Sequence, residues 1–393
     1  MTVNFKKEAD LLADWLTEIR RDFHRFPEPS FGEVRTAKII SEFLEEWGYS
    51  VSSVGRTGVK GVLRGEPGTK AVAVRADMDG LPIGEETGAE YASSYPGMMH
   101  ACGHDIHMAC ALGAAKMLAE ARKKGALSGT VVMLFQPAEE INQGAAAIIK
   151  EGALTDPDVN MIFGLHNHPS YPAGTIVVKE GPMMAAVDTL KMRISGTGSH
   201  GAIPHMSADP VVAAASVVMN LQTVVSRNVD PQDSAVLSFG TVRGGTADNV
   251  IPEHIEMTGT IRSFLPEVRD SLHERIARIA ASVAEGLGCR AEVEIRRDLP
   301  AVSNDEASYS CCIRAAQIAA GAEKIIPATP SMGGEDFALF QQVIPGCMFW
   351  LGVGNEAIGA VHPWHSPKFT ADETALPVGA AVLAQAAFIA LGE

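Results

Sequence analysis

Thr130-Val131-Val132-Met133-Leu134-Phe135-Gln136-Pro137-Ala138-Glu139-Glu140 runs from an apolar, β-branched stretch into a proline and two adjacent carboxylates. The first part has the make-up of a buried strand, and the proline ends it. The arrangement recurs. Ala71-Val72-Ala73-Val74 leads into Arg75-Ala76-Asp77-Met78-Asp79-Gly80, and Met161-Ile162-Phe163-Gly164-Leu165 into His166-Asn167-His168. Cys347-Met348-Phe349-Trp350-Leu351-Gly352-Val353 leads into a loop holding His362 and His365. Helical stretches lie between, Ala-rich over 107–123 and shorter over 143–151. This alternation predicts a largely parallel α/β sheet. Ligands of open α/β sheets gather beyond the carboxyl ends of the strands. Residues that merely begin loops would be Ser, Asn, Gly or Lys as readily as Cys, Glu or His, so one shared crevice is the better reading.

Upstream, residues 8–22 read as a charged amphipathic helix, broken at Phe26-Pro27-Glu28-Pro29. Residues 35–47 give a second helix, closed by Gly48. Residues 187–297 have another rhythm. Strands over 189–194, 236–242, 255–261 and 291–295 combine with a helix starting at Asp209-Pro210 and one from Leu265-Pro266 to about Gly286. The order β-α-β-β-α-β is ferredoxin-like. The expected architecture is therefore a two-domain α/β protein. A catalytic sheet domain comprises 1–186 and 298–393, and a smaller α+β domain is inserted over 187–297.

The 393 residues suit two cores better than one. Net charge is −15, which disfavours nucleic acid and anionic membranes and means that an anionic substrate needs placed positive charge. No apolar run reads as a bilayer span and the N-terminus has no apolar leader region, so the expectation is a cytoplasmic protein. Six cysteines form no disulfide framework. Cys110, Cys289, Cys311, Cys312 and Cys347 read as small buried hydrophobes. Cys102 differs, since it stands in Met99-His100-Ala101-Cys102-Gly103-His104-Asp105.

Thiolate, imidazole and carboxylate together suit zinc, manganese or a similar divalent ion. Cys102, His104, Glu139, Glu140, His166 and His365 supply that set. Three anions gathered in one crevice cost several kcal/mol each to bury unpaired, and two divalent cations would offset this. Adjacent glutamates after a strand should point apart. One could then ligate metal while the other takes and returns the proton of a water whose pKa is lowered to about 7.

With Arg20-Arg21-Asp22-Phe23-His24, Arg75 to Pro82, Met99 to Asp105, Phe135 to Glu140, Gly164-Leu165-His166, Asn249-Val250-Ile251-Pro252, Gly333-Gly334-Glu335-Asp336-Phe337 and His365-Ser366-Pro367-Lys368-Phe369, the sequence resembles the M20 family of metallopeptidases. The likeness is to its amidohydrolase branch, of aminoacylase, hippurate hydrolase and auxin-conjugate hydrolase type. It implies two divalent ions per subunit, zinc or manganese, with cobalt or nickel as further candidates. Their ligands would be Cys102, His104, Glu140, His166 and His365, with Glu139 as general base and then acid. In the wider family a His-x-Asp motif ends the first strand. Asp77 stands at that histidine's place, so the ligand role passes to Cys102 and His104, and Asp77 and Asp79 orient ligands. The inserted domain would be a lid that dimerises, giving a homodimer or dimer-based oligomer. Its His200 would reach a neighbouring subunit's site to stabilise an oxyanion, and Asn249 and Arg262 would hold a substrate carboxylate. The implied activity is hydrolysis of N-acyl amino acids or short peptides.

His100 and His107 read as supporting or packing groups. His168 and His362 read as surface groups, as do the solitary His24, His254 and His273, and His205 as a turn or lid residue. Glu335-Asp336 reads as an acid pair at a helix start. Rival readings are a carboxypeptidase or dipeptidase of the same fold, a non-catalytic metal or amino-acid binder, and a thiol enzyme using Cys102.

Overall fold

A computed structural model describes residues 3–392, and these form two compact units. The first comprises 3–183, 302–329 and 335–392; the second comprises 184–301 and 330–334.

The first unit is built on an eight-stranded mixed sheet. Its strands are Ser50–Val54 (β1), Gly58–Arg64 (β2), Glu66–Asp77 (β3), Ser128–Gln136 (β4), Met161–Pro172 (β5), Ile176–Val178 (β6), Ile325–Pro327 (β7) and Gly346–Gly354 (β8). The spatial order is β1-β2-β4-β3-β5-β8-β6-β7. The central strands β4, β3, β5 and β8 run parallel, as the strand–helix alternation predicts. The antiparallel hairpin β1–β2 extends one edge. It was not legible beforehand, because its Ser- and Gly-rich strands lack an apolar run.

Register brings the strand ends level. Asp77 pairs with Gln136, Arg75 with Gly164, and Trp350 with His166. Helices His104–Lys123 and Leu376–Ala390 pack on these strands and on each other. Close approach is set by small residues: a Cβ on Gly379 would lie 2.7 Å from Cys110 Sγ. The segment Glu373–Ala390 is long and apolar enough to cross a membrane by length and composition, contrary to the reading that no run was. It is 78% buried, as befits a core helix. The expected single helix over 8–22 is two, Phe5–Leu11 and Ala13–Arg25, parted at Leu12.

The second unit has a four-stranded antiparallel sheet in the order Ala235–Arg243, His254–Ser263, Ala186–Ser195, Arg290–Leu299. Helices Pro210–Ser226 and Pro266–Gly286 complete the split β-α-β pattern. Asp209 caps the first of them by accepting from the Val211 and Val212 amides. Leu190, Met192, Ile194, Val217, Leu221 and Ile276 fill the core, the strand residues alternating with exposed Lys191 and Arg193.

Candidate functional site

The ligand-bearing loop is fixed from both sides. Leu81 and Met99 exchange backbone hydrogen bonds at 2.9 and 3.0 Å. Gly103 then takes a left-handed φ of 80° and releases the chain into helix His104–Lys123. At that helix start, buried Asp105 forms an ion pair with Arg20 Nε at 2.7 Å and accepts from His24 Nδ1 at 2.8 Å. His24 Nε2 donates to Glu85 at 3.2 Å. Burial and Arg20 pull the His24 pKa down, but Asp105 and Glu85 more than compensate and raise it. The surface reading of His24 is therefore wrong. Its partners lie 61 and 81 residues away, beyond any local pattern. His273 is likewise paired, with buried Asp188 at 2.6 Å. His168 is packed among Tyr171, Trp350 and Trp364, where burial pushes its pKa down to about 4.

The glutamate pair follows β4 in a strained turn. Ala138 has φ of 53° and Asn142 of 56°, both left-handed without being glycine. Buried Glu33 accepts from the Ala138 amide at 2.9 Å. Asp79 accepts from the amides of Glu139 and Glu140 at 3.1 and 3.2 Å. Strand alternation would send the two side chains apart, but the turn breaks that alternation. Glu139 Oε2 and Glu140 Oε1 lie 3.9 and 3.7 Å from the same His104 Nε2.

Around this pair the other groups converge. Cys102 Sγ lies 3.5 Å from His166 Nε2, and His365 Nε2 lies 3.5 Å from Glu140 Oε2. His365 holds a left-handed φ of 63°. Donor atoms of Cys102, His104 and His166 all fall within 4.8 Å of one another, as do those of Cys102, Glu140 and His365 and those of His104, Glu139 and Glu140. The strand-end residues Glu139, Glu140, His166 and His365 thus meet Cys102 and His104 from the loop that opens the helix. Ligand bonds of about 2.1 Å around one tetrahedral ion put donor atoms about 3.4 Å apart, close to these spacings.

The unpartnered atoms also fit a cation. His104 Nε2 and Glu140 Oε1 are buried without a hydrogen-bond partner among the described residues, while His104 Nδ1 faces Asp79 Oδ1 at 3.4 Å. Burial and then Glu140 push the Cys102 thiol well up, which argues against a free thiolate nucleophile; a bound cation would supply the charge that lets the thiol ionise. Burial, then Glu335, Asp336 and Glu140, raise Glu139 well above the usual carboxylate range. Burial, against the pull of His104, brings Glu140 up to about 7. Without an ion, a charged His104, held against burial well above the usual imidazole range by Asp77 and Asp79, offsets these carboxylates, and divalent cations would take that place.

Asp77 accepts from His107 Nδ1 at 2.5 Å and from Arg75 Nη1 at 2.7 Å. Burial would raise Asp77, but His104, His107 and Arg75 hold it well below the usual range. Arg75 also binds Glu335 at 3.0 Å and Asp336 at 2.9 Å, so that acid pair is a buried partner of the site and more than a helix-start feature. Glu335, Asp336 and Glu139 place carboxylate oxygens within 4.8 Å of one another. The only prior signal for Arg75 was its place at the end of an apolar strand, where a charge needs a partner.

His200, Asn249 and Arg262 lie in the second unit. His200 is exposed on a two-residue strand paired with Val250. Asn249 is exposed. Arg262 is half-buried, donates to Thr260 Oγ1 and the Ile261 carbonyl, and has no carboxylate ion pair among the described residues.

Known proteins share this organisation. N-acetylcysteine deacetylase of Bacillus subtilis (strain 168) is 43% identical over 378 residues, covering 96% of this chain and 97% of its own. Thermostable carboxypeptidase 1 of Saccharolobus solfataricus is 38% identical over 381 residues, 95% of each chain. The crystal structure of a Bacillus subtilis dinuclear metal binding peptidase from the M20 family matches with a TM-score of 0.85 at 40% identity, over 97% of this chain and 99% of that one. The profile of peptidase family M20/M25/M40 matches residues 73–388. By that match and by these relatives, the chain belongs to peptidase family M20/M25/M40 and is a hydrolase acting on amide bonds.

Proposed function

We propose that the protein hydrolyses the amide bond of N-acyl amino acids, releasing a carboxylic acid and a free amino acid. The convergence of Cys102, His104, Glu140, His166 and His365 donor atoms beside buried Glu139 carries this reading. Those five residues would hold two divalent ions, zinc or manganese, with Cys102 common to two of the donor triads. Such ions supply Lewis acidity toward the scissile carbonyl and lower the pKa of water toward neutrality.

Glu139 accepts the proton of the attacking water and returns it to the leaving amine. Its raised pKa suits a group that must give the proton back. Asp79 fixes the Glu139 and Glu140 backbone, and Asp77 fixes His107. In the second unit, Arg262 and Asn249 receive the substrate carboxylate, which supplies the positive charge that an acidic protein must place for an anion. His200 of the partner subunit stabilises the oxyanion, which requires a homodimer through the second unit.

The carboxypeptidase relative supports a second reading, cleavage of a C-terminal peptide bond, in which the same groups act on an aminoacyl rather than an acyl donor. Metal-reconstituted protein assayed against acetyl, benzoyl and longer acyl amino acids, alongside dipeptides and blocked peptides, separates them. Preferential turnover of acyl amino acids supports the proposal. Preference for peptides supports the second reading, and inertness toward both removes the catalytic assignment.

A further inference from the structure

Asn167 stands between two histidines on β5 and is fully buried. All of its polar groups are engaged. Its amide Nδ2 donates to the Cys102 carbonyl at 2.6 Å and to His107 Nε2 at 2.9 Å. Its Oδ1 accepts from Trp364 Nε1 at 3.2 Å. The backbone N–H donates to His107 Nε2 at 2.8 Å, and the backbone carbonyl meets His166 Nδ1 at 2.8 Å. The amide cannot be turned over. An oxygen in place of Nδ2 would face the Cys102 carbonyl, and an NH2 in place of Oδ1 would face the donor-only indole.

These contacts settle protons as well as positions. Two N–H groups point at His107 Nε2, so that nitrogen carries no proton. The ring proton is on Nδ1, aimed at Asp77. With both nitrogens engaged, His107 is no ligand, although its atoms lie within metal-binding distance of Asp77 and His104. The carbonyl at His166 Nδ1 places that ring's proton there and leaves Nε2 a free lone pair on the Cys102 side. Gly103 admits the clamp, because a Cβ there would lie 2.3 Å from Asn167 Nδ2.

We propose that the Asn167 side chain is a positioning residue. It clamps the Cys102 loop, the His107–Asp77 pair and the Trp364–His365 segment so that Cys102, His166 and His365 present their donor atoms together. The proposal rests on the metal-site reading above and needs no particular substrate. Asn167→Leu keeps the branch at Cγ, adds some bulk and removes all three side-chain hydrogen bonds.

The test uses Asn167→Leu in the full chain, loaded with cobalt. Release of the ion to a chelator and the thiolate-to-cobalt absorption band are followed beside wild type, with thermal melting as the control for folding. Loss of an outer hydrogen-bond partner typically weakens a metal site 10–100-fold. The expected result is a folded protein with cobalt affinity lower by about that factor and an altered thiolate band. Where turnover is measurable, kcat falls and KM changes little. Cobalt retention and a thiolate band equal to wild type in folded Asn167→Leu overturn the proposal. If the leucine variant does not fold, Asn167→Asp, which sets a carboxylate oxygen against the Cys102 carbonyl, carries the same readouts. A wild type inert toward acyl amino acids defeats the proposed function while leaving these cobalt readouts decisive.

Discussion

Asp79 Oδ1 accepts the backbone N–H of Glu139 at 3.1 Å. Its other oxygen accepts the Glu140 N–H at 3.2 Å and the Ser30 hydroxyl at 2.7 Å. One carboxylate thus grips the main chain under both glutamates. Asp79→Ala leaves buried N–H groups unpaired, at about 1–3 kcal/mol each. The expected outcome is a lowered melting temperature and a kcat reduced by more than tenfold, measured by calorimetry and steady-state kinetics. An unchanged kcat would show that the turn holds itself.

Arg75 is fully buried against Asp77, Glu335 and Asp336. Arg75→Met removes the cation and strands three carboxylates. Breaking a buried pair from one side costs about 3–5 kcal/mol. Denaturant unfolding should register a loss of at least that size, whereas Arg75→Lys, which keeps the charge but not the fork, should fall between.

Gly103 has a φ of 80°, and a Cβ there would press on Asn167. Gly103→Ala pays the left-handed penalty of about 1–2 kcal/mol and displaces the amide as well. Chemical denaturation should show a loss at or above that range. A loss of a few tenths would mean that the loop re-forms around the new methyl.

The His24 pKa is raised in the folded protein, because Asp105 and Glu85 outweigh burial and Arg20. A raised pKa stabilises the fold fully below the unfolded value of about 6.5, and that contribution is lost as pH rises through the folded value. Unfolding free energy measured against pH should therefore fall from about pH 6.5 upward in wild type relative to His24→Gln. Parallel profiles would contradict the assignment.

Removing divalent metal should lower the melting temperature. A ligand at a hundred times its Kd stabilises by about 2.7 kcal/mol. Scanning calorimetry before and after chelation, with zinc or manganese restored, measures it. Magnesium added in place of either should restore less, since a thiolate and imidazoles suit softer ions.

Much of this was legible from the chain. The four parallel strands announce themselves as apolar runs, and the chemistry falls at their ends because the fold puts ligands there. Asp209-Pro210 and Leu265-Pro266 mark helix starts that appear where expected. What was hidden depends on contacts between distant segments. His24 reads as solitary because Asp105 is 81 residues away, and the partner of Arg75 is hidden because Asp336 is 261 away. Asn167, flanked by histidines, carries no periodic signal, and its meaning lies wholly in its five hydrogen bonds to four residues. Glu139 and Glu140 do not diverge as strand alternation predicts, because Ala138 bends the turn left-handed and brings both toward His104. The segment 330–334 joins the second unit although nothing in its five residues suggests it.

The assignment of Glu139 as the proton carrier, distinct from the five metal-holding residues, is tested most directly by Glu139→Gln. Metal content and turnover of an acyl amino acid that wild type cleaves are measured on one preparation. The account predicts a full complement of divalent ion with kcat reduced by at least about a hundredfold, in line with the loss of a general base. A variant that retains its metal and turns over at the wild-type rate would contradict it.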